Sequence, residues 1–338
     1  MDIVTQALLG GVLAQSVADR TEKKHATIAG AIAGLLADAD IFIYSSSDPL
    51  LNIELHRHFT HSLFFIPFGG AIAALLLWPF LKQHMSAKRL YLFCVTGYSM
   101  SGVLDACTSY GTHLLWPLSN ERVAWNLISI VDPVFSMVLI VSLVLGLRMR
   151  QKNIARIGLL FCLLYMASGF VQLHRAEQMA ESLALSRNHQ PGPHVVKPSL
   201  GNLVLWRSVY IYNDEIFVDA IRVGLFSANR IYEGESVKRF NAKSDLVGLS
   251  ENSTLYKDIE RFRNFSDGYI AYDPGQSNVI GDLRYSMLPD SIIPLWGIMI
   301  NPEIPQLHAD YRFFRDNSSA VKDRFIDMLY GRCVTETC

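Results

Sequence analysis

Long apolar segments separated by short polar loops dominate the first half of the chain. Most of them have the roughly 20 residues that an α-helix needs to cross the hydrocarbon core of a bilayer. The first two are shorter and rich in glycine and alanine, which let helices pack closely in lipid. The pattern predicts six membrane helices, over residues 3–18, 26–43, 63–81, 90–107, 127–147 and 155–173.

A different pattern begins near residue 175. A Pro- and Gly-rich connector, 188–199, leads to two runs of β-branched and aromatic residues, 202–212 and 215–226. The dipeptide Asn213–Asp214 between the runs is typical of a hairpin turn, so we expect a β-hairpin there. Apolar residues then recur at helical spacing. They predict helices over 254–265 and 319–332.

These two patterns predict two domains. Residues 1–174 form a polytopic α-helical membrane domain, and residues 175–338 form a soluble α+β domain. The start of the chain lacks the basic region of a signal peptide, because Asp2 lies there.

Basic residues are distributed unevenly among the loops between the apolar segments. Loops 19–25, 82–89 and 148–156 carry ten lysines and arginines, whereas the alternate loops 44–62 and 108–126 carry two. Since basic loops stay in the cytoplasm, we expect both termini and the C-terminal domain on the extracytoplasmic side of the inner (plasma) membrane. The formal net charge of −1 gives no basic surface for nucleic acid.

Residues 54–63, ELHRHFTHSL, place three histidines and an arginine beside an apolar segment, where unpaired polar groups are costly. Other polar residues near the membrane segments lie at the same predicted extracytoplasmic end, which indicates one shared site. The residues that meet there in this prediction are Asp2, Gln6, Asp38, Asp40, His56, His58, His61, Asp105, Thr108, Asp132 and His174.

Histidine nitrogens and carboxylate oxygens are the usual ligands of zinc, and of manganese or iron where carboxylates dominate. A divalent ion would also relieve the repulsion among Asp38, Asp40 and Asp105. With an open coordination position it would activate water, which predicts hydrolysis. The five cysteines form no CxxC pair, so a cysteine zinc site is not expected.

Spacing limits which residues share a face. His58 and His61 are three positions apart and are neighbours if that stretch is helical. Asp38 and Asp40 cannot both point inward from a regular helix, so one would be a ligand and the other a cap or support. The planar fork of Arg57 suits an anionic group such as phosphate. Asp132 precedes a proline, so it is either a helix cap or a catalytic base.

Five segments of the chain resemble the YdjM-like family of inner-membrane, metal-dependent hydrolases of bacteria and archaea. They cover about residues 1–135 and read MDIVTQALLG, LLADAD, HRHFTHSL, GYSMSGVLDACTSYGTHLLWPLS and ISIVDP. The resemblance implies metal ligation by Asp38, Asp40, His56, His61 and Asp105, with Thr60 and Thr108 as supports. A more distant similarity to zinc-dependent phospholipases C suggests phosphoester substrates.

Two positions depart from the family pattern. Gln6 and Ser101 stand where the family usually has histidine, and His58 stands where it commonly has glycine. His58 could compensate for one lost ligand, or the metal count could be reduced.

We therefore expect a membrane-bound hydrolase that uses a divalent metal, zinc or manganese, at the outer membrane–water boundary. Asp40, Arg57 and Asp132 are the candidate catalytic residues. The expected partners are membrane lipid and a phosphoester or lipid-linked substrate. The alternative is a catalytically degenerate metal-binding scaffold or sensor. A transporter is disfavoured, because transport sites place paired acids at mid-membrane.

Overall fold

The computed structural model describes residues 1–45, 47–190, 192–225 and 227–333. The chain divides into two units. The N-terminal unit contains Met1–Ile43, Leu55–Val171 and Leu200–Asn202. The C-terminal unit contains Tyr44–Glu54, Gln172–Ser199 and the chain from Leu203 onward. We call Tyr44–Glu54 the strap, because it leaves the N-terminal unit and returns to it within a few residues.

Helices make up the N-terminal part of the chain. In order they are α1 (Ile3–Val17), α2 (Lys23–Leu36), a 3₁₀ turn (Ala37–Phe42), α3 (Leu51–Leu55), two further 3₁₀ turns (Phe59–His61 and Leu63–Phe65), α4 (Ile66–Leu81), α5 (Ala87–Tyr98), α6 (Ser101–Ala106), α7 (Pro133–Met149) and α8 (Lys152–Ser186).

Three stretches in the described part of the chain are long and apolar enough to cross a membrane, namely Lys23–Phe42, Leu63–Leu81 and Lys152–Ser186. The helices Ile3–Val17 and Pro133–Met149 are apolar but shorter. Large apolar side chains point outward from these elements, as at Leu75, which is 74% exposed. Such an apolar outer surface suits lipid and would be unfavourable in water. The chain is therefore a membrane protein.

The six predicted helices differ from the observed ones in places. Segment 90–107 is interrupted between α5 and α6, so it does not form one continuous span. Segment 127–147 becomes helical only at Pro133, because Asp132 caps the helix there and proline favours the first helical position. Helix α8 continues to Ser186, beyond the predicted domain limit at 174. Its 35 residues correspond to about 52 Å of helix.

Glycines set the spacing of three helices in the N-terminal unit. Gly10 of α1, Gly30 of α2 and Gly97 of α5 approach one another closely. A Cβ atom added at Gly10 would overlap the carbonyl oxygen of Gly30, and one added at Gly97 would overlap the same oxygen. The backbones therefore touch directly, as the small-residue pattern of the sequence predicts.

Two antiparallel four-stranded sheets form the C-terminal unit, in the orders β1-β2-β3-β4 and β5-β6-β7-β8. The strands are β1 (His194–Pro198), β2 (Leu205–Tyr212), β3 (Glu215–Arg222), β4 (Arg230–Lys238), β5 (Ile270–Asp273), β6 (Gln276–Asp282), β7 (Trp296–Met299) and β8 (Asp310–Phe313). The helices are α9 (Ala242–Asp245), α10 (Thr254–Phe265) and α11 (Ser319–Tyr330).

The predicted hairpin is confirmed. β2 pairs with β3 from Tyr212↔Glu215 to Leu205↔Arg222, and Asn213 and Asp214 have positive φ angles of 49° and 60°. Asparagine and aspartate tolerate this left-handed conformation better than most residues, which favours a tight turn. The helices at 254–265 and near 319–332 are also confirmed. The Pro- and Gly-rich connector 188–199 also contributes β1 to the first sheet.

Candidate metal centre

Three parts of the N-terminal unit bring the predicted site together. The 3₁₀ turn after α2 carries Asp38 and Asp40, and the segment that includes the Phe59–His61 turn carries His56 and His61. Helix α6 carries Asp105. The tight winding of a 3₁₀ turn allows both aspartates to approach the histidines, which a regular α-helix would not.

His61 lies at the centre of the cluster and is 1% exposed. Its Nε2 atom is 3.2 Å from Asp38 Oδ1 and 3.0 Å from Asp105 Oδ2. Its Nδ1 atom faces the other way, 3.0 Å from Thr60 Oγ1 and 3.3 Å from Asp40 Oδ2. One imidazole nitrogen therefore faces two carboxylates, while the other is held by supporting groups.

Both carboxylate oxygens of Asp40 take part in hydrogen bonds. His56 Nδ1 lies 2.8 Å from Oδ1. The Thr60 hydroxyl and the backbone N–H of Arg57 each donate to Oδ2 at 2.8 Å. These bonds fix His56 and the His61 loop around one buried carboxylate. Asp40 therefore supports both histidines, a role typical of carboxylates behind metal-bound imidazoles.

Arg57 is buried and lies beside Asp105. Its Nε atom is 3.2 Å from Asp105 Oδ2, and its Nη1 atom donates to Thr108 Oγ1 at 3.2 Å. The backbone of Arg57 is left-handed, with φ of 60°, and its carbonyl accepts a hydrogen bond from His113 N–H at 3.0 Å. The Arg57 guanidinium also lies 5.1 Å from the centre of the Tyr110 ring.

Two observations indicate that a metal ion fits this cluster. Asp105 Oδ2 is buried and accepts no hydrogen bond from any described residue, although Arg57 Nε and His61 Nε2 are near it. In addition, one ligand atom each from Asp38, His61 and Asp105 lies within 4.8 Å of the others. Ligands 2.0–2.1 Å from a tetrahedral zinc are about 3.3 Å apart, close to the spacing of His61 Nε2 from the two carboxylates.

The carboxylates also control the charge of His61. Burial by itself lowers the pKa of His61, but the adjacent carboxylates of Asp105, Asp38 and Asp40 outweigh burial and raise that pKa well above its ordinary value. The cluster therefore favours a positive charge at its centre, which either a proton or a metal ion can supply.

The remaining predicted residues have identifiable contacts. Asp2 caps α1 and Asp132 caps α7, through bonds to the first backbone N–H groups of each helix. The second oxygen of Asp132 accepts a hydrogen bond from Tyr165 at 2.8 Å, so the described bonds of Asp132 lead away from the cluster. Thr108 donates to the Asp105 carbonyl at 2.8 Å.

His58 packs against His113 rather than joining the cluster, with ring centroids 4.5 Å apart and the rings tilted by 49°. His174 is largely exposed on α8 and lies beside Gln178 and Glu177.

Gln6 and Ser101, the two positions that depart from the family pattern, are neighbours. The Gln6 side-chain amide donates to the Ser101 carbonyl at 3.3 Å, and the Ser101 hydroxyl donates to the Gly34 carbonyl at 3.3 Å. Ser101 precedes Asp105 by one turn of α6. Gln6 and Ser101 are therefore in contact with each other, one helical turn from Asp105.

Sequence reasoning missed several residues that shape the site. The Tyr98 hydroxyl donates to the Thr60 carbonyl at 2.6 Å, and the α-amino group of Met1 contacts Asp105 Oδ1. Gly102 lies against His61, where an added Cβ would overlap the His61 carbonyl oxygen. These residues lie in apolar or small-residue stretches, which carry no signal of chemistry.

The N-terminal half of the chain is similar to known proteins. The model of the YdjM inner membrane protein family matches residues 1–176. Inner membrane protein YbcI of Escherichia coli (strain K12) is 27% identical over 135 residues, which is 38% of this chain and 75% of YbcI. The uncharacterized protein YfhP of Bacillus subtilis (strain 168) is 28% identical over 133 residues, 39% of this chain and 40% of YfhP.

The aligned region thus spans less than half of YfhP. No solved structure matches the chain. The family match covers more than half of the 338 residues and includes every residue of the histidine–aspartate cluster. The chain belongs to the YdjM inner membrane protein family.

Proposed function

We propose that the protein is a membrane-bound, metal-dependent hydrolase. The observation that carries this proposal is the convergence of Asp38 Oδ1 and Asp105 Oδ2 on one nitrogen of buried His61. Three residues from three separate segments supply these atoms, which suits a divalent ion such as zinc or manganese. Bound there, the ion would lower the pKa of a water molecule and supply a hydroxide nucleophile.

Asp40 and His56 have the geometry of a proton-transfer pair. The His56 Nδ1 atom bonds to Asp40 Oδ1 at 2.8 Å, which leaves Nε2 of the neutral ring as the acceptor. The His56 side chain is 22% exposed, and its ring centroid is 6.4 Å from that of His61. A histidine held by a carboxylate and open on its other side can accept a proton from water and return it to a leaving group.

Arg57 supports an anionic substrate. Its described hydrogen bond and ion pair use Nη1 and Nε, and neither involves Nη2. The guanidinium is held against Asp105 and Thr108, so little entropy is lost when it binds an anion. A phosphoester at lipid headgroup depth is the substrate class we favour, and the charge bias of the loops supports an extracytoplasmic site and C-terminal unit.

Turnover by the full-length protein in lipid nanodiscs tests the proposal. The protein is stripped with a chelator, reloaded with zinc or manganese, and assayed against soluble phosphoesters and phospholipids. We expect turnover only after reloading, and its loss in His61→Ala. His174→Ala is the matched control, because His174 is exposed and its described side-chain contacts are with Glu177 and Gln178. Metal-independent turnover, or full activity of His61→Ala, would contradict the proposal.

A metal-binding scaffold or sensor is the second candidate, and the contact between Gln6 and Ser101 favours it. Both usual histidines of the resembled pattern are replaced at one place, which would remove ligands together. In this case the wild-type protein binds zinc but turns over no substrate in the panel. The double variant Gln6→His/Ser101→His would then bind more zinc per chain than the wild type.

A further inference from the structure

The strap Tyr44–Glu54 connects the two halves of the metal centre. Asp40 lies four positions before the strap begins, and His56 lies two positions after it ends. The strap itself belongs to the C-terminal unit. Along the chain, the strap therefore separates the candidate ligands Asp38 and Asp40 from His56 and His61. The N-terminal unit resumes at Leu55, immediately before His56.

One arginine of α10 holds the strap at two points. Arg261 Nε and Nη2 donate to the two oxygens of Glu54 at 2.7 Å each. Nη1 and Nη2 donate to the two oxygens of Asp48 at 3.0 Å each. Bidentate pairing fixes the orientation of each carboxylate as well as its distance from Arg261, because the guanidinium is planar and rigid.

The arginine is itself fixed within the C-terminal unit. Nη1 also donates to Asp258 Oδ1 at 3.1 Å, one turn earlier on α10. Asp258 is 1% exposed, and its Oδ2 atom accepts bonds from His308 Nδ1 at 2.8 Å and the Ala309 N–H at 3.0 Å. The strap is therefore bound by an arginine whose own position is held by the buried carboxylate of Asp258.

Apolar residues of the strap strengthen this attachment. Leu50 is fully buried and Ile53 is 5% exposed. They lie between the two acidic residues that Arg261 holds, and Glu54 lies in the short helix α3. Only Leu55 lies between Glu54 and His56. The connection from Arg261 to His56 is therefore too short to absorb a large displacement of the strap.

We propose that Arg261 is a positioning residue for the metal centre, which sets the placement of His56 and the His61 loop through Glu54 and Asp48. This inference rests on the proposed metal site. Its consequence is that a state of the C-terminal unit that releases the strap lowers the metal affinity of the N-terminal unit. Partners that support metal-bound imidazoles typically change metal affinity about 10- to 100-fold, so we expect an effect of about 10-fold.

Zinc affinity of the full-length protein in nanodiscs tests this role, measured by competition with a chromophoric chelator. Arg261→Gln removes the charge and the fork, and Arg261→Lys keeps only the charge. Arg263→Gln is the matched control, because Arg263 lies on the same helix and pairs only with Glu260 among the described residues. We expect about 10-fold weaker zinc binding in Arg261→Gln, partial recovery in Arg261→Lys and wild-type affinity in Arg263→Gln.

Hydrogen exchange supplies a readout that does not depend on activity. Arg261→Gln should raise exchange in the strap and in residues 55–61, whereas strands β2 and β3 keep their protection. The variant Glu54→Gln/Asp48→Asn removes the same pairs from the other side and should reproduce the loss of zinc affinity. It keeps the proposal testable if Arg261→Gln does not fold.

The two hypotheses fail in different ways. If the strap exchanges faster in these variants but zinc affinity stays within twofold of the wild type, the positioning role is wrong and the proposed function stands. If the wild-type protein itself binds no zinc or manganese, the proposed function fails before Arg261 is considered.

Discussion

Two clusters in this protein are built from the same side chains but are neutralised differently. In the C-terminal unit, Asp48, Glu54 and Asp258 surround the guanidinium of Arg261, and His308 closes the group. In the N-terminal unit, Asp38, Asp40 and Asp105 surround His61, and Arg57 approaches from one side only.

The difference lies in what occupies the centre. The Arg261 guanidinium donates to five carboxylate oxygens, so its cluster contains its own cation in good hydrogen-bond geometry. The His61 cluster keeps a buried oxygen of Asp105 without a hydrogen bond from a described residue. Buried carboxylates are expensive when they are left unsatisfied. The satisfied cluster needs no further partner, whereas the unsatisfied oxygen of Asp105 is one that the proposed metal ion would coordinate.

The largest expected change in zinc affinity comes from a substitution in the N-terminal cluster. Asp105→Asn removes a carboxylate that faces His61, so zinc affinity should fall by more than the roughly 100-fold typical for loss of a supporting residue. Asp258→Asn makes the same chemical change in the other cluster and should weaken zinc binding by no more than about 10-fold, through the strap. Competition titration of both purified variants measures this contrast. Equal zinc affinity in the two variants would remove the distinction between the clusters.

A smaller effect should follow from the supporting carboxylate. Asp40→Asn keeps the size of the side chain but weakens the bonds to His56 and Thr60, so we expect about 10- to 100-fold weaker zinc binding with unchanged stoichiometry. Metal content at saturating zinc, together with the titration, separates affinity from stoichiometry. Loss of one zinc equivalent at saturation would instead make Asp40 a ligand.

The C-terminal cluster should respond mainly in stability, with zinc affinity changed only through the strap. Asp258→Asn weakens the bonds to Arg261 and His308 in a buried place, so the C-terminal unit should lose about 1–3 kcal/mol of unfolding free energy. Denaturation followed by exchange of the Ala309 amide measures the loss, with Asp310→Asn as an exposed control. The loss should be present with chelator as well as with zinc, because these bonds do not involve the ion. A loss seen only with zinc would mean that this cluster itself binds the ion.

Acid should produce the smallest effect. Burial raises the pKa of Asp48, but the hydrogen bonds and positive charge of Arg261 outweigh burial and lower it below its ordinary value of 3.8. A carboxylate with a depressed native pKa stabilises the fold above its unfolded pKa, and this contribution disappears as the pH falls through the native pKa. The strap should therefore become less protected below about pH 4.

Hydrogen exchange of the strap between pH 3 and pH 6, compared in the wild type and Asp48→Asn, measures this effect after correction for intrinsic rates. The variant should show a flatter pH dependence. An identical slope in both proteins would mean that Asp48 contributes nothing to the acid response.

The sequence predicted the parts of the site that carry recognisable chemistry. His61, Asp38 and Asp105 were expected to converge because each lies at the same end of an apolar segment, and they do. The hairpin at Asn213–Asp214 was predictable because turn chemistry is local. The lengths of two predicted helices were wrong. A break between Tyr98 and Ser101 and the extension of α8 to Ser186 depend on packing that hydropathy does not report.

The strap contacts were beyond sequence reasoning for a different reason. Arg261 lies more than 200 positions from Asp48 and Glu54, and nothing in its own helix distinguishes it from Arg263. Pairing between remote charges depends on tertiary structure, because any exposed arginine could satisfy an exposed acid. Only the folded chain shows that one arginine binds the strap at two points.

The contact of Gly10, Gly30 and Gly97 has a consequence for engineering. Three backbones meet there with no side chain between them, so α1, α2 and α5 are in direct backbone contact, and α2 leads into the turn that carries Asp38 and Asp40. A grafting experiment that moved only the histidines and aspartates into another helical bundle would place them too far apart. The glycines, which have no chemistry of their own, would have to be transplanted with them.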